Sequence, residues 1–329
     1  MKRLSVLLLV LSLLFLTAAG SEAAAKYKIK IHSVGNEEHA STPALKEFKK
    51  HVEEKTKGDV EVSLHLNASL AGDREATEAM QLGTIEAGII GSSILATFEP
   101  SFNIFEFPFL FKDDATAKKL IDGELGEKLN AAIQKQDLRI IGYGVNGFRH
   151  TTNNRGPIKK PSDMNGLKIR TMENPIHIAT FKLFGANPTP INFGELYTAL
   201  SQKTVDAMEC PLNLIYTPKF YEVQKYLSLT GHLYAVAPLT MSEIFFRSLP
   251  DEYKEIIIEG GKIYTEIQRK NTIADENNML KLLEEAGMIV NDLTEAEKNE
   301  FKKLSAPVYD QFADKVGRDF LNEVIEANK

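Results

Sequence analysis

Apolar residues along this chain switch repeatedly between two periods, and the order of the switches predicts an α/β organisation. Lys28 to Ser33 reads as a short strand. Leu45, Phe48 and Val52 then recur at helical spacing between Pro43 and Lys57, and Gly58 stops the pattern. From Val60 to Leu66, Val60, Val62, Leu64 and Leu66 alternate with polar residues, as in a half-buried strand. A helix capped by Asp73 is expected to end near Gly83, followed by the apolar strand Ile85 to Gly91 and then Ser92 and Ser93. A β-α-β-α-β succession implies a parallel sheet with helices on its faces.

The stretch Phe98 to Phe111 carries six phenylalanines broken by Pro100 and Pro108, and reads as a core plug beneath a loop rather than a pocket wall. A helix from Gly123 to Gln136 and a strand from Leu138 to Val145 follow. Around Gly147 the pattern restarts as a second unit. Its strands are Phe148 to Asn153, Leu167 to Arg170 and Val205 to Glu209; its helices begin at Asn174-Pro175 and Phe193. Asn187 to Pro190 reads as a proline-stiffened turn. Leu239 to Phe246 reads as a strand returning to the first unit. A helix capped by Ser248 or Asp251 then runs to about Glu285, broken in composition only by Gly260-Gly261 and stopped by Gly287. At more than thirty residues it exceeds an ordinary domain helix and is long enough to brace two domains. Thr294 with Glu297 forms a capping box for one more helix. The expected lobes are residues 26–147 plus 237–275 and residues 148–236 plus 276–329, with a cleft between them and several crossings acting as hinges.

The amino terminus changes the picture. Lys2 and Arg3, the apolar run Leu4 to Leu16 and the small residues before Lys26 read as a secretory signal over residues 1–25, cleaved near Ala25, and not as an anchor. Removing Lys2, Arg3 and Glu22 takes away a net +1, so the formal charge of −6 becomes −7. A mildly acidic, mixed surface argues against nucleic acid. Cys210 is the only cysteine, so no disulfide forms within the chain and no cysteine zinc cluster is possible. There is no HExxH, GxSxG or glycine-rich phosphate loop, and no ligand spacing that supports a metal or a cofactor.

The chemistry concentrates between Gly166 and Pro211. The strand LKIR ends in Arg170, and the strand VDAM runs into Glu209 and Cys210, so polar groups collect at the carboxyl ends of adjacent strands, where open α/β sheets bind ligands. A guanidinium there suits a carboxylate, which it meets through two parallel hydrogen bonds. Either a ligand or an internal acid would satisfy Arg170. Arg149 lies at the expected crossing between units; by itself it reads as a surface arginine. As a nucleophile, Cys210 would need a base from among His32, His39, His150, His177 and His232. That is the alternative of a secreted enzyme; without a base, Cys210 is an inert small hydrophobe.

The stretches LAGDREATEAMQLGTIEAGI, FEFPFLF, GYGVNGFRHTTN, GLKIR, GANPTPINFGELYTAL and KFYEVQKYLSLTGH together resemble the DctP-type substrate-binding proteins of tripartite ATP-independent periplasmic (TRAP) transporters, across nearly all of the mature chain. The resemblance implies a two-lobed periplasmic-binding-protein fold, each lobe a central sheet flanked by helices, closing on an organic anion of the sugar-acid or C4-dicarboxylate type. The protein is then expected to be a monomer without cofactor or enzymatic activity that hands its ligand to a TRAP membrane permease; a ligand sensor serving a histidine kinase is a further alternative. In GLKIR, Arg170 falls on the carboxylate-clamping arginine; Arg149 falls on a second arginine that often touches the same group; Phe193 matches a position that packs on the ligand. Cys210 departs from the pattern, which most often has a hydrogen-bonding asparagine there. Gly91 stands where the sialic-acid branch usually has a glutamate, which argues against that ligand. His32 and Ser92 are expected to reach the far end of the ligand, with Glu209 beside the clamp.

Overall fold

The computed structural model describes residues 24–328, with the side chains at 275 and 277 left aside; the expected signal segment therefore lies almost wholly outside the described residues. Eleven strands among the described residues form two sheets. The first has the order β2-β1-β3-β10-β4, from β1 (Tyr27–His32), β2 (Val60–His65), β3 (Ala87–Ile89), β4 (Leu138–Gly142) and β10 (Leu239–Ser242). The second has the order β11-β9-β5-β8-β6-β7, from β5 (Val145–Asn153), β6 (Lys168–Thr171), β7 (Asn187–Pro190), β8 (Ala207–Pro211), β9 (Tyr226–Val236) and β11 (Ile289–Asp292).

In the first sheet β1, β2 and β3 run parallel, as the β-α-β-α-β succession requires. The returning strand β10 inserts antiparallel between β3 and β4. It is shorter than the expected 239–246 because the Ser242 hydroxyl accepts the Phe245 N–H and starts the helix Glu243–Ser248. In the second sheet β6 and β8 are parallel neighbours, with Arg170 opposite Met208. Asn187 to Pro190 is not a turn: it is β7, an edge strand paired with β6. Prolines are tolerated there because an edge leaves the outer side of the ladder unpaired.

Two adjacent chain segments join the lobes: β4 runs into β5 past Gly142, and β9 returns to β10 past Val236, with Val145 facing Val236. The 35-residue helix Asp251–Glu285 lies along this junction. It begins at Pro250 with no side-chain cap, in place of the Ser248 or Asp251 cap expected. Ile257 and Tyr264 enter the core of the first lobe, while Met279 and Leu283 enter that of the second. At the hinge the Gln268 side chain accepts the Val145 N–H at 2.9 Å and donates to the Val145 carbonyl at 2.7 Å. The glycine pair is there for close approach: a Cβ on Gly261 would stand 1.9 Å from the Ile141 carbonyl oxygen.

Two further expectations need correcting. Asp73 is the first residue of the helix Asp73–Gln81 rather than its cap, and its carboxylate bonds His32 instead. Residues 276–329 do not all stay with the second lobe. Phe301 does, but Val308, Phe312, Leu321 and Val324 join a core that holds Leu125 and Leu129 of the first lobe and Ile176 of the second, so the chain turns back to the first lobe. Phe102, Phe105, Phe107 and Phe111 are buried in that same core, as the core-plug reading expects.

Candidate ligand-binding site

Between the lobes lies a cavity with about 900 Å³ of free space, counting its solvent mouth. The second lobe supplies Arg170, Asn192, Phe193 and Cys210 to its wall; the first supplies Asp73, Ser92, Ser93 and Glu106. The crossing strands add Asn146 and Arg149. The lobes touch around it: Asn36 donates to the Thr217 carbonyl at 2.8 Å, and Arg74 approaches Glu173 at 3.3 Å. A Cβ at Gly72 would stand 1.9 Å from Asn192 Nδ2 of the other lobe, so any side chain there would displace the Asn192 amide.

Arg170 is 3% exposed. Its Nε donates to the Ile191 carbonyl at 2.8 Å, and its guanidinium lies 5.9 Å from the Phe193 ring centre. Among the described residues no carboxylate pairs with it within 4.0 Å, so its terminal nitrogens are available to the cavity. Burial pulls the guanidinium below its ordinary value; Glu209 and Asp73 oppose this from a distance without pairing. A buried arginine without an anion costs several kcal/mol in effective desolvation, roughly what a bound anion would offset.

Arg149 is different. It is buried, and it forms a fork to Glu209: Nε and Nη2 both reach the carboxylate, the latter at 2.7 Å, and Nη2 also reaches the Glu209 carbonyl at 2.8 Å. Burial alone would lower Arg149, but the adjacent Glu209 more than offsets it and raises the guanidinium. Glu209 is fully buried. His232 Nε2 stands 3.2 Å from it and His177 Nδ1 3.7 Å. Burial would raise this carboxylate, yet Arg149 and the two histidines hold it well below its ordinary value. His177 Nε2 also contacts Glu106 at 2.5 Å, and the Ser92 and Ser93 hydroxyls each donate to Glu106 at 2.6 Å. Burial lowers His177, but the two glutamates raise it overall. Glu106, His177, Glu209 and Arg149 thus form a buried, mutually bonded cluster, beside which Arg170 has no acidic partner among the described residues.

Of the residues singled out from sequence, Arg170, Arg149, Cys210, Phe193 and Ser92 line the cavity. Glu209 does not: successive strand residues face opposite sides, so with Cys210 turned to the cavity Glu209 turns away, under Arg149. His32 does not either; it is fully buried and stands 3.0 Å behind Asp73. Sequence reasoning passed over Asp73, Glu106, Asn146 and Asn192. Glu106 carried a readable signal, a lone acid in the aromatic run FEFPFLF that had to find partners once buried.

With this geometry in view, comparison with known proteins is decisive. The sequence profile of the DctP family, described as "Bacterial extracellular solute-binding protein, family 7", matches residues 31–315. The chain belongs to this family. It is 37% identical over 286 residues to the 2,3-diketo-L-gulonate-binding periplasmic protein YiaO of Escherichia coli, covering 86% of this chain and 87% of the relative. Among solved structures it resembles a TRAP periplasmic solute-binding protein of Sulfurospirillum deleyianum with bound succinate, with a TM-score of 0.88 and 34% identity over 93% of this chain and 100% of that one. A Polaromonas TRAP solute-binding protein bound to D-erythronate matches with a TM-score of 0.88 and 36% identity, covering 91% and 98%.

As a DctP-family protein the chain is a TRAP transport component of the periplasmic solute-binding type, not an enzyme. No helix among the described residues is long and apolar enough to cross a membrane. The surroundings of Cys210 agree with a non-catalytic role. The thiol is 1% exposed and pushed up by burial, and Arg149 Nη2 stands 3.9 Å from it. His150, opposite it across the strands, instead accepts the Gly231 N–H and is lowered to about 3 by burial, which makes it a poor base for that thiol.

Proposed function

We propose that this protein captures a small organic carboxylate by forking it onto Arg170 and delivers it, as a monomer, to the membrane subunits of a TRAP permease. One observation carries the reading: Arg170 is a buried cation, stacked near Phe193 and facing a cleft, with no acidic partner among the described residues. A carboxylate from outside would complete it bidentately in a water-poor space, where such a pair is stronger than at a surface. The ligands named for the similar proteins, succinate, D-erythronate and 2,3-diketo-L-gulonate, share a carboxylate. In this reading Phe193 covers the clamp, Cys210 and Ser92 contact the ligand, and Arg149 borders the site while its charge is spent on Glu209. The leader is removed near Ala25. The lobes open about the crossings at 142–145 and 236–239, with the long helix as the brace.

The test is a thermal-shift screen of the mature protein against a panel of organic acids. A ligand at one hundred times its dissociation constant adds about 2.7 kcal/mol. Arg170→Ala is expected to abolish that shift, and Arg170→Lys to recover little, because an ammonium lacks the fork. A panel in which no carboxylate stabilises the protein, or an Arg170→Ala variant with wild-type affinity, overturns the proposal.

A further inference from the structure

The rest of the cavity wall narrows the ligand class. Three cations line the cavity, Arg74, Arg149 and Arg170, and no lysine does. Two of the three are already committed: Arg74 to Glu173 at 3.3 Å, Arg149 to Glu209 at 2.7 Å. Three carboxylates line it as well, Asp73, Glu106 and Glu173. Asp73 and Glu106 both come from the first lobe, across the cleft from Arg170. Asp73 already stands 3.0 Å from His32, and Glu106 is held by Ser92, Ser93 and His177, so among the described residues a ligand clamped at Arg170 meets partnered acids on the opposite wall and no second free cation.

Two polar groups on that wall lack partners. His39 is buried, and its Nδ1 accepts the Ser41 N–H at 3.2 Å. In the neutral ring, which burial favours by lowering the group to about 4, the proton is then on Nε2, and that N–H has no partner. Asn146 Oδ1, at the crossing strand, is a buried acceptor that also has none. Both residues line the cavity. Buried polar atoms without partners mark where a guest must bring its own. A hydroxyl accepts from the first and donates its single hydrogen to the second, and other hydroxyls of the same ligand donate to the carboxylates of that wall. A carboxylate has no hydrogen to donate.

We infer that the ligand is a polyhydroxylated monocarboxylate of the aldonate type, with its carboxylate on Arg170 and its hydroxyls on the first-lobe wall, and that Asp73 and Glu106 exclude dicarboxylates. This rests on the Arg170 clamp. Discrimination comes from an element that repels the wrong ligand as well as from contacts to the right one. A second carboxylate in this wall would be desolvated beside like charges, which disfavours it.

The experiment is calorimetric titration of the mature protein at pH 7.5 with aldonates of four to six carbons, D-erythronate and D-gluconate among them, and with succinate, which matches erythronate in carbon count. The best aldonate is expected to bind at least 100-fold more tightly than succinate. Asp73→Asn, which keeps the shape and removes the charge, is expected to narrow that gap at least tenfold. Succinate binding as tightly as the best aldonate, or no aldonate binding at all, overturns the inference. The same titrations on Arg170→Ala separate the two readings. Tight succinate binding that Arg170→Ala destroys leaves the clamp standing and removes the hydroxyl wall; aldonate binding that survives Arg170→Ala removes the clamp itself.

Discussion

Arg149 and Arg170 are two buried arginines in one cavity wall, and their partners assign them opposite roles. Consider each replaced by alanine. Arg149→Ala leaves Glu209, fully buried, without the fork that neutralises it. Breaking a buried pair on one side costs about 3–5 kcal/mol. At roughly 2–4 °C per kcal/mol for a chain somewhat smaller than this one, the melting temperature of the ligand-free protein falls by roughly 6–20 °C. Arg170→Ala instead removes a buried cation with no acidic partner among the described residues, so the ligand-free protein keeps or gains stability. What it loses is the ligand response, about 2.7 kcal/mol at one hundred times the dissociation constant, or roughly 5–11 °C by the same conversion. Differential scanning calorimetry of both variants, with and without the best panel ligand, reads all four values. An Arg149→Ala variant that keeps its ligand-free melting temperature and loses only the ligand shift, with an Arg170→Ala variant that unfolds early, would refute these assignments. The two arginines would then have exchanged roles, and Glu209 would not be the partner its geometry makes it.

Other outcomes follow from the same structure. Gly261→Ala drives a methyl group to 1.9 Å from the Ile141 carbonyl oxygen, so the brace helix must lift off the first sheet; the overpacking cost of about 1–3 kcal/mol should appear as a lower urea midpoint, and an unchanged midpoint would contradict the close approach. Cys210, buried and with its thiol pushed up, should resist iodoacetamide at neutral pH in the native state and react on unfolding; rapid native labelling would reopen the nucleophile reading. Because Glu209 is depressed on folding, its stabilisation is present above the unfolded value of about 4.3 and lost as pH falls through the lower folded value. Glu209→Gln should therefore flatten the acid limb of stability measured by urea unfolding between about pH 6 and 3; a wild-type acid limb in that variant would argue against the assignment. His177 is raised, so its contribution is complete below about 6.5 and fades as pH rises through the folded value; His177→Asn should remove that alkaline component and leave the acid limb in place.

The sequence by itself determined most of the element order and the two-lobed plan, and it singled out Arg170 as the candidate clamp. Periodicity is local: Val60 to Leu66 alternates, Leu45, Phe48 and Val52 repeat at helical spacing, and each pattern has essentially one way to bury its apolar face. Arg170 was legible because a cation at the end of an apolar strand must be answered by something, and in the structure no acid among the described residues answers it. Tertiary structure alone decided which neighbours share a face and which distant charges meet. Glu209 and Cys210 are adjacent in the chain, yet strand alternation turns one to the cavity and the other beneath Arg149. The two partners of His177, Glu106 and Glu209, lie 71 residues before it and 32 after it, a meeting that no spacing rule contains. The return of Phe312 and Leu321 to the first lobe, and the role of Asn187 to Pro190 as an edge strand, were likewise set by long-range packing and pairing. Local patterns select helix or strand, but the partner of a buried charge is chosen only when the chain closes and water leaves, because only then does an unpaired charge become costly.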